Sequence, residues 1–207
     1  MLWLSWEQGL LTKVNTYGPP PLVRMTRLFL EMNEADIKGR IAEEGRTPFA
    51  GQVVPHEITR DGVVLQDENV KVTAALVDHG ETKPAFAYRF DCPDRSIVIS
   101  GDTKPSPNLV RLAEGADILV HEVLYAPALP AMLASTAAFA SKMAAHMASG
   151  HTTAEDVGRI ASEARVKTLV LSHFVPSGTT VSDQQWLDAA KLHFSGTIVV
   201  GRDLMEL

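Results

Sequence analysis

Apolar positions in the second half of the chain come in short runs. Four of them, AALVDH, SIVISGD, DILVHE and TLVLSH, reach or adjoin a residue that can bind a metal: His79, Asp102, His121 and His173. Runs rich in Val, Ile and Leu and bounded by turn residues read as buried strands. In α/β proteins functional side chains collect at the carboxyl ends of such strands, where a rigid backbone meets a loop free to vary. One strand ending in His is ordinary. Four successive ones point to a shared metal site.

The pattern over the remaining residues alternates between elements. Residues 1–12 read as an amphipathic helix with no cap, VNTYG as a short strand ending at Gly18, and residues 21–33 as a helix after the Pro19, Pro20, Pro21 turn. Residues 34–50 are polar and carry no period. GQVVPHEI, GVVLQD, VKVTAALVDH, AFAYRFD and SIVISGD follow as five strands separated by Gly, Asp and Pro turns, which predicts a meander. Beyond Asp102, Ser106 and Pro107 suit an N-cap and first helical residue, and Gly115 suits the stop. An Ala-rich helix is expected over 130–148. Thr152 with Glu155 reads as a capping box opening a helix to Arg165, and Ser182 with Gln185 as a second, opening a helix that ends near His193. GTIVVGRD closes the chain as a strand. With no repeat, linker or low-complexity segment, residues 1–207 are read as a single α/β domain.

Composition narrows the class. An apolar content of 45% with 21% charged residues is that of an ordinary globular chain. The single cysteine, Cys92, excludes an internal disulfide framework and a cysteine-rich zinc module, so a metal must be held by nitrogen and oxygen. The formal charge of −6, without a Lys/Arg cluster, argues against a nucleic-acid surface. No apolar stretch approaches the ~18 residues of a membrane span, and MLWLSWEQGLL lacks the basic start of a secretory signal, so a cytoplasmic location with no membrane partner is expected.

The chemistry of the candidate residues is that of a metal centre. Asp102, between Gly101 and Thr103, places a carboxylate where it can bridge two divalent cations, and His79 and His173 offer neutral imidazoles, which suit zinc. His121 and Glu122 are adjacent, a pair in which the carboxylate orients the ring or the ring donates a proton. His151 sits in a loop before a helix, equally consistent with a plain loop histidine and with a role near the site. His56, His146 and His193 read as ordinary structural histidines.

SGDT at 100–103, LVHE at 119–122, HTTAED at 151–156 and LSHF at 171–174, in this order and spacing, resemble the metallo-β-lactamase fold, specifically its ribonuclease Z-like branch. The resemblance runs over most of the chain. It implies an αββα sandwich with a two-metal hydrolytic site at one sheet edge. It implies His79 and His173 as metal ligands, Asp102 as the bridge, and a catalytic group of His121, Glu122 and His151, with His121 protonating the leaving group. Zn2+ is the implied metal and Mn2+ the second candidate. The branch's H-x-H-x-D-H motif occurs nowhere in these 207 residues, which leaves each metal about two protein ligands and predicts weak binding. The chain is therefore expected to be an N-terminally incomplete form of an active hydrolase, and a degenerate non-catalytic family member is the competing reading.

The branch's flexible arm for transfer RNA commonly lies between the positions matching His79 and Asp102. Here 23 positions separate them and a hairpin fills the interval. With the acidic balance, this favours a metal-dependent hydrolase of ester or phosphodiester bonds in small substrates over a tRNA 3′-processing endonuclease. Related enzymes are often homodimers, which makes a homodimer the expected assembly.

Overall fold

Parallel strands need a covered crossover of a dozen or more residues, whereas antiparallel neighbours can be joined by a tight turn; the chain uses each where its local sequence allows. The computed structural model describes residues 2–134, 140–178 and 180–207. They fall into two compact units, Met1–Thr59 and Arg60–Leu207.

In the first unit, helix α1 (Leu2–Glu7) brings Trp3 and Trp6 within 5.5 Å between ring centroids, and Phe49 packs on both. Trp6 is buried, and its indole N–H donates to the Thr47 carbonyl at 2.8 Å. Strand β1 (Val14–Gly18) is followed by α2 (Leu22–Met32) and α3 (Glu34–Glu44), which carry the chain over to β2 (Val53–Glu57). β1 and β2 pair in parallel from Val14↔Val53 to Gly18↔Glu57. Two expectations are corrected here. GQVVPHEI does not open the meander, because its partner is β1. The patternless residues 34–50 contain α3, which has no fully buried residue and an apolar face of only Ile37 and Ile41, too short to show a period; the i,i+4 pairs Lys38–Glu34, Arg40–Asp36 and Arg40–Glu44 run along it besides.

The second unit is built on one seven-stranded sheet in sequence order. Strands β3 (Gly62–Gln66), β4 (Lys71–His79), β5 (Thr82–Asp91) and β6 (Ser96–Ile99) are antiparallel neighbours joined by short turns. One of these turns is held by the Asp67 carboxylate, which accepts from the N–H groups of Asn69 and Val70. From β6 onward the pairing is parallel, through β7 (Ile118–Leu124), β8 (Thr168–Val175) and β9 (Thr197–Val200). The crossovers are helical: α4 (Pro107–Ala113), then α5 (Leu129–Ala134), α6 (Ala140–Gly150) and α7 (Ala154–Glu163), then α8 (Asp183–Lys191).

One face of this sheet carries the core. Leu109 and Leu112 of α4, Val157 and Ile160 of α7 and Trp186 of α8 bury against Val98, Leu119, Val123, Leu169 and Leu171. A Cβ added at Gly158 would lie 2.1 Å from the Ala190 carbonyl oxygen, so α7 and α8 approach at a distance only glycine permits. The Ser182–Gln185 capping box is present in full. The box expected at Thr152 and Glu155 is displaced by one residue: Thr153 caps α7 by accepting from the Asp156 N–H, because Thr152 is buried and bonded elsewhere. The architecture is mixed α/β, a central sheet with flanking helices. Among the described residues no helix is long and apolar enough to cross a membrane.

Candidate metal centre

Three strands deliver the expected ligands to one place. His79 ends β4, Asp102 lies just past β6, and His173 sits within β8. The Asp102 carboxylate Oδ2 is 3.3 Å from His173 Nε2 and 4.0 Å from His79 Nε2. His79 Nδ1 lies 2.7 Å from the Gly150 carbonyl, which can only accept, so Nδ1 carries the proton and Nε2 presents its lone pair. Local backbone features aim these side chains. The β7–β8 register shifts so that Glu122 opposes Ser172 and Val123 opposes Phe174, leaving His173 as the extra residue of a bulge with φ +44. Gly101 turns the chain with φ +60 where an added Cβ would lie 2.8 Å from the Phe86 carbonyl oxygen, so the SGD sequence permits what SAD would not.

Glu122 organises the second half of the site. Its Oε1 accepts from the N–H of Thr152 at 2.9 Å and of Thr103 at 3.2 Å, and its Oε2 lies 3.2 Å from His151 Nδ1. Both side chains are buried. The hydroxyl of Thr152 in turn donates to the Thr103 carbonyl. The loop after β6 and the loop before α7 are thus tied to one carboxylate. Its hydrogen bond raises the His151 pKa above the ordinary imidazole value, against burial, and the negative charges of Glu122 and Asp102 act in the same direction. The His151 ring stacks on His173 with centroids 6.1 Å apart. One donor atom each from Asp102, His151 and His173 lies within 4.8 Å of the others.

His121 is not brought to this group. Alternation along β7 puts Val120 on the cavity side, while Leu119 and Val123 belong to the helix-covered core. His121 shares their side and is fully buried. Its Nδ1–H donates to the Glu122 carbonyl at 2.6 Å, and its buried Nε2 has no hydrogen-bond partner among the described residues. Burial pushes its pKa down, and the neighbouring Glu122 carbonyl and charge only partly oppose this. The unfolded chain therefore takes up a proton at His121 before the folded chain does. This histidine lowers stability as pH falls below its unfolded value and is neutral to stability above it. Denaturant midpoints taken from about pH 8 down to about pH 5.5 should fall more steeply for the wild type than for His121→Asn; parallel slopes would show that His121 does not stay neutral in the fold.

His146, read from the sequence as structural, lies instead beside the site on α6. Its ring is 5.7 Å from that of His79 and 5.9 Å from that of His151. No sequence signal marked it, since an exposed helical histidine in an Ala-rich segment has no motif around it. His56 bonds to Asn15 in the first unit, and His193 pairs with Glu155 on the surface.

The cluster opens into a cavity of ≈ 1050 Å³. Its walls carry Met132, Met143, Met147, Phe174, Met205 and Leu207, alongside His79, Asp102, His146, His151 and His173. The beta-lactamase superfamily domain model matches residues 13–174, which include His79, Asp102, Glu122, His151 and His173. The chain belongs to the beta-lactamase superfamily. Within it the likeness is to ribonuclease Z. The ribonuclease Z of Mycobacterium marinum is 30% identical over 90% of this chain and 64% of its own length, so the chain spans less than two thirds of that relative. Among solved structures, the metallo-beta-lactamase fold protein YhfI of Bacillus subtilis superimposes with a TM-score of 0.60 at 19% identity, over 92% of this chain and 63% of that one. Human tRNase Z, short form, gives 0.57 at 19%, over 93% and 65%. These structural likenesses establish the metallo-β-lactamase fold.

Proposed function

We propose that this superfamily member is a metal-dependent hydrolase of ester or phosphodiester bonds in small substrates with an apolar portion. The observation that carries the reading is that the His79–Asp102–His173 cluster and His151, itself held by the buried Glu122, lie in a cavity walled by methionines and other apolar side chains. The donor set fits divalent zinc or manganese: two imidazole nitrogens, one of them freed by the Gly150 contact, and a carboxylate directed at both. Bound there, such ions would supply Lewis-acid polarisation of the ester and neutralise charge in the transition state. The chain's own groups do the rest. The apolar walls hold the substrate's hydrocarbon part, and the cavity admits the water that hydrolysis adds across the ester bond. His151, fixed through Nδ1 by Glu122, keeps Nε2 free to hand a proton to the departing oxygen.

The tRNA 3′-processing reading is favoured by the ribonuclease Z relatives. Against it stands the character of the cavity: among the described residues lining it, Arg202 is the one Lys or Arg, and Asp183 pairs with it. The test is to supply metal-stripped protein with Zn2+ or Mn2+ and offer p-nitrophenyl butyrate, bis(p-nitrophenyl) phosphate and a tRNA carrying a 3′ trailer. Cleavage of either chromogenic ester, lost with a chelator, is expected. Trailer removal with neither ester cleaved would replace this reading by the nuclease one. Stoichiometric metal uptake without any cleavage would favour the non-catalytic reading.

A further inference from the structure

His79, His146 and His151 form a second arrangement that the hydrolytic cluster does not use as a set. Their rings close a triangle with centroid separations of 5.7, 5.9 and 5.2 Å, and they meet at 68°, 89° and 77°. One donor atom from each lies within 4.8 Å of the other two. We propose that these three imidazoles form a seat of their own for a first-row divalent cation of the zinc class.

Steep ring angles turn ring edges, where the nitrogens are, towards a common point; edge-to-face contact also suits plain packing, so the tautomers decide between the two. They are prepared for a metal. His79 is held at Nδ1 by the Gly150 carbonyl, and His151 at Nδ1 by the Glu122 carboxylate, so both present Nε2. A ring nitrogen tied to a carbonyl or carboxylate, with the other left bare, is how proteins orient imidazole towards a metal. His146 approaches from the last turns of α6 and is exposed, so burial offers no competing reason for its place beside two other histidines. At Gly150 an added Cβ would sit 3.0 Å from His79 Nδ1 and 3.9 Å from His146 Cε1, so the absence of a side chain keeps the space among the rings clear. Nitrogens bound to one tetrahedral ion at ~2.0–2.1 Å stand roughly 3.4 Å apart, a contraction that His146 can supply by rotating on its exposed helix. All three residues line the cavity, so the fourth position faces it. Zinc and cobalt suit three neutral nitrogens better than hard cations do. Because His79 and His151 offer the same Nε2 atoms to the hydrolytic arrangement, the two seats exclude one another.

The experiment is a titration of metal-stripped full chain with Co2+ followed by visible absorption, with Zn2+ affinity and stoichiometry from calorimetry. It compares wild type, His146→Ala and Asp102→Ala. His146→Ala should weaken binding by at least the ~10–100-fold that losing an outer-shell partner costs, whatever Asp102→Ala does. His146→Cys should regain binding and add a sulfur-to-cobalt charge-transfer band absent from the wild type, whose one cysteine, Cys92, does not line the cavity, with an unchanged far-UV circular dichroism spectrum excluding a misfolded chain. Unchanged affinity in His146→Ala, or no uptake by the wild type, overturns the proposal. Loss in Asp102→Ala with His146→Ala unaffected would place the ion in the hydrolytic cluster, leaving the hydrolase reading standing and this one refuted.

Discussion

Replacing Glu122 by leucine is expected to cost about 3–5 kcal/mol of folding free energy, the range for removing one partner of a buried charged pair. The leucine fits the volume and accepts no hydrogen bond. The N–H groups of Thr103 and Thr152 lose their acceptor, each at ~1–3 kcal/mol if it stays dry, and His151 loses the carboxylate that holds its ring. These losses overlap, because the two loops can separate and admit water, which keeps the total below their sum. Against a total stability of ~5–15 kcal/mol such a change is large. Urea unfolding measures it; a loss below ~1 kcal/mol would mean that the loops are held by something other than this carboxylate. Glu122→Gln keeps an acceptor oxygen and should cost less.

The second large effect falls on turnover. Under the proposed hydrolase reading, His151→Ala should lower turnover by ~10²–10⁴ for substrates with poor leaving groups, the usual contribution of a positioned general acid. Substrates with good leaving groups, such as p-nitrophenyl esters, should be hurt far less. Equal losses on both kinds would indicate damage to metal binding instead. The pH profile carries the sign. The donor is the imidazolium, so turnover should decline as pH rises through the His151 pKa, which the Glu122 hydrogen bond holds above the ordinary value. Glu122→Gln removes the main cause of that shift and should move the alkaline limb to lower pH. A limb unmoved by Glu122→Gln would assign it to another group. His56→Ala, a change in the first unit, is the control and should alter neither rate nor profile.

Much of this was legible in the residues alone, and for definite reasons. β4, β6, β7 and β8 were legible because apolar runs bounded by turn residues have one economical use, and the Ser182 box because its two hydrogen bonds lie within four residues. The meeting of His79, Asp102 and His173 was also legible, since strands in one sheet present their ends at a common edge. α3 was not, because an apolar face of only Ile37 and Ile41 is too short to show a period. The parallel pairing of β1 with β2 was not, because it joins segments with two helices between them and no local feature names the partner.

For the site, the sequence by itself determined the inventory: strand ends bearing imidazole and carboxylate, and a Gly before Asp102 where no other residue fits. Strand alternation puts His121 and Glu122 on opposite sides of the sheet, which the reading of the two as one catalytic pair passed over. Which side held the cavity depended on where α4, α7 and α8 packed, and that decided for Glu122 and against His121 as the partner of His151. The bulge that turns His173 into the cavity arises from a register shift between β7 and β8, and the approach of His146 from the course of α6. These are contacts between segments distant in the chain, set by how whole elements pack, so only the tertiary structure decided them.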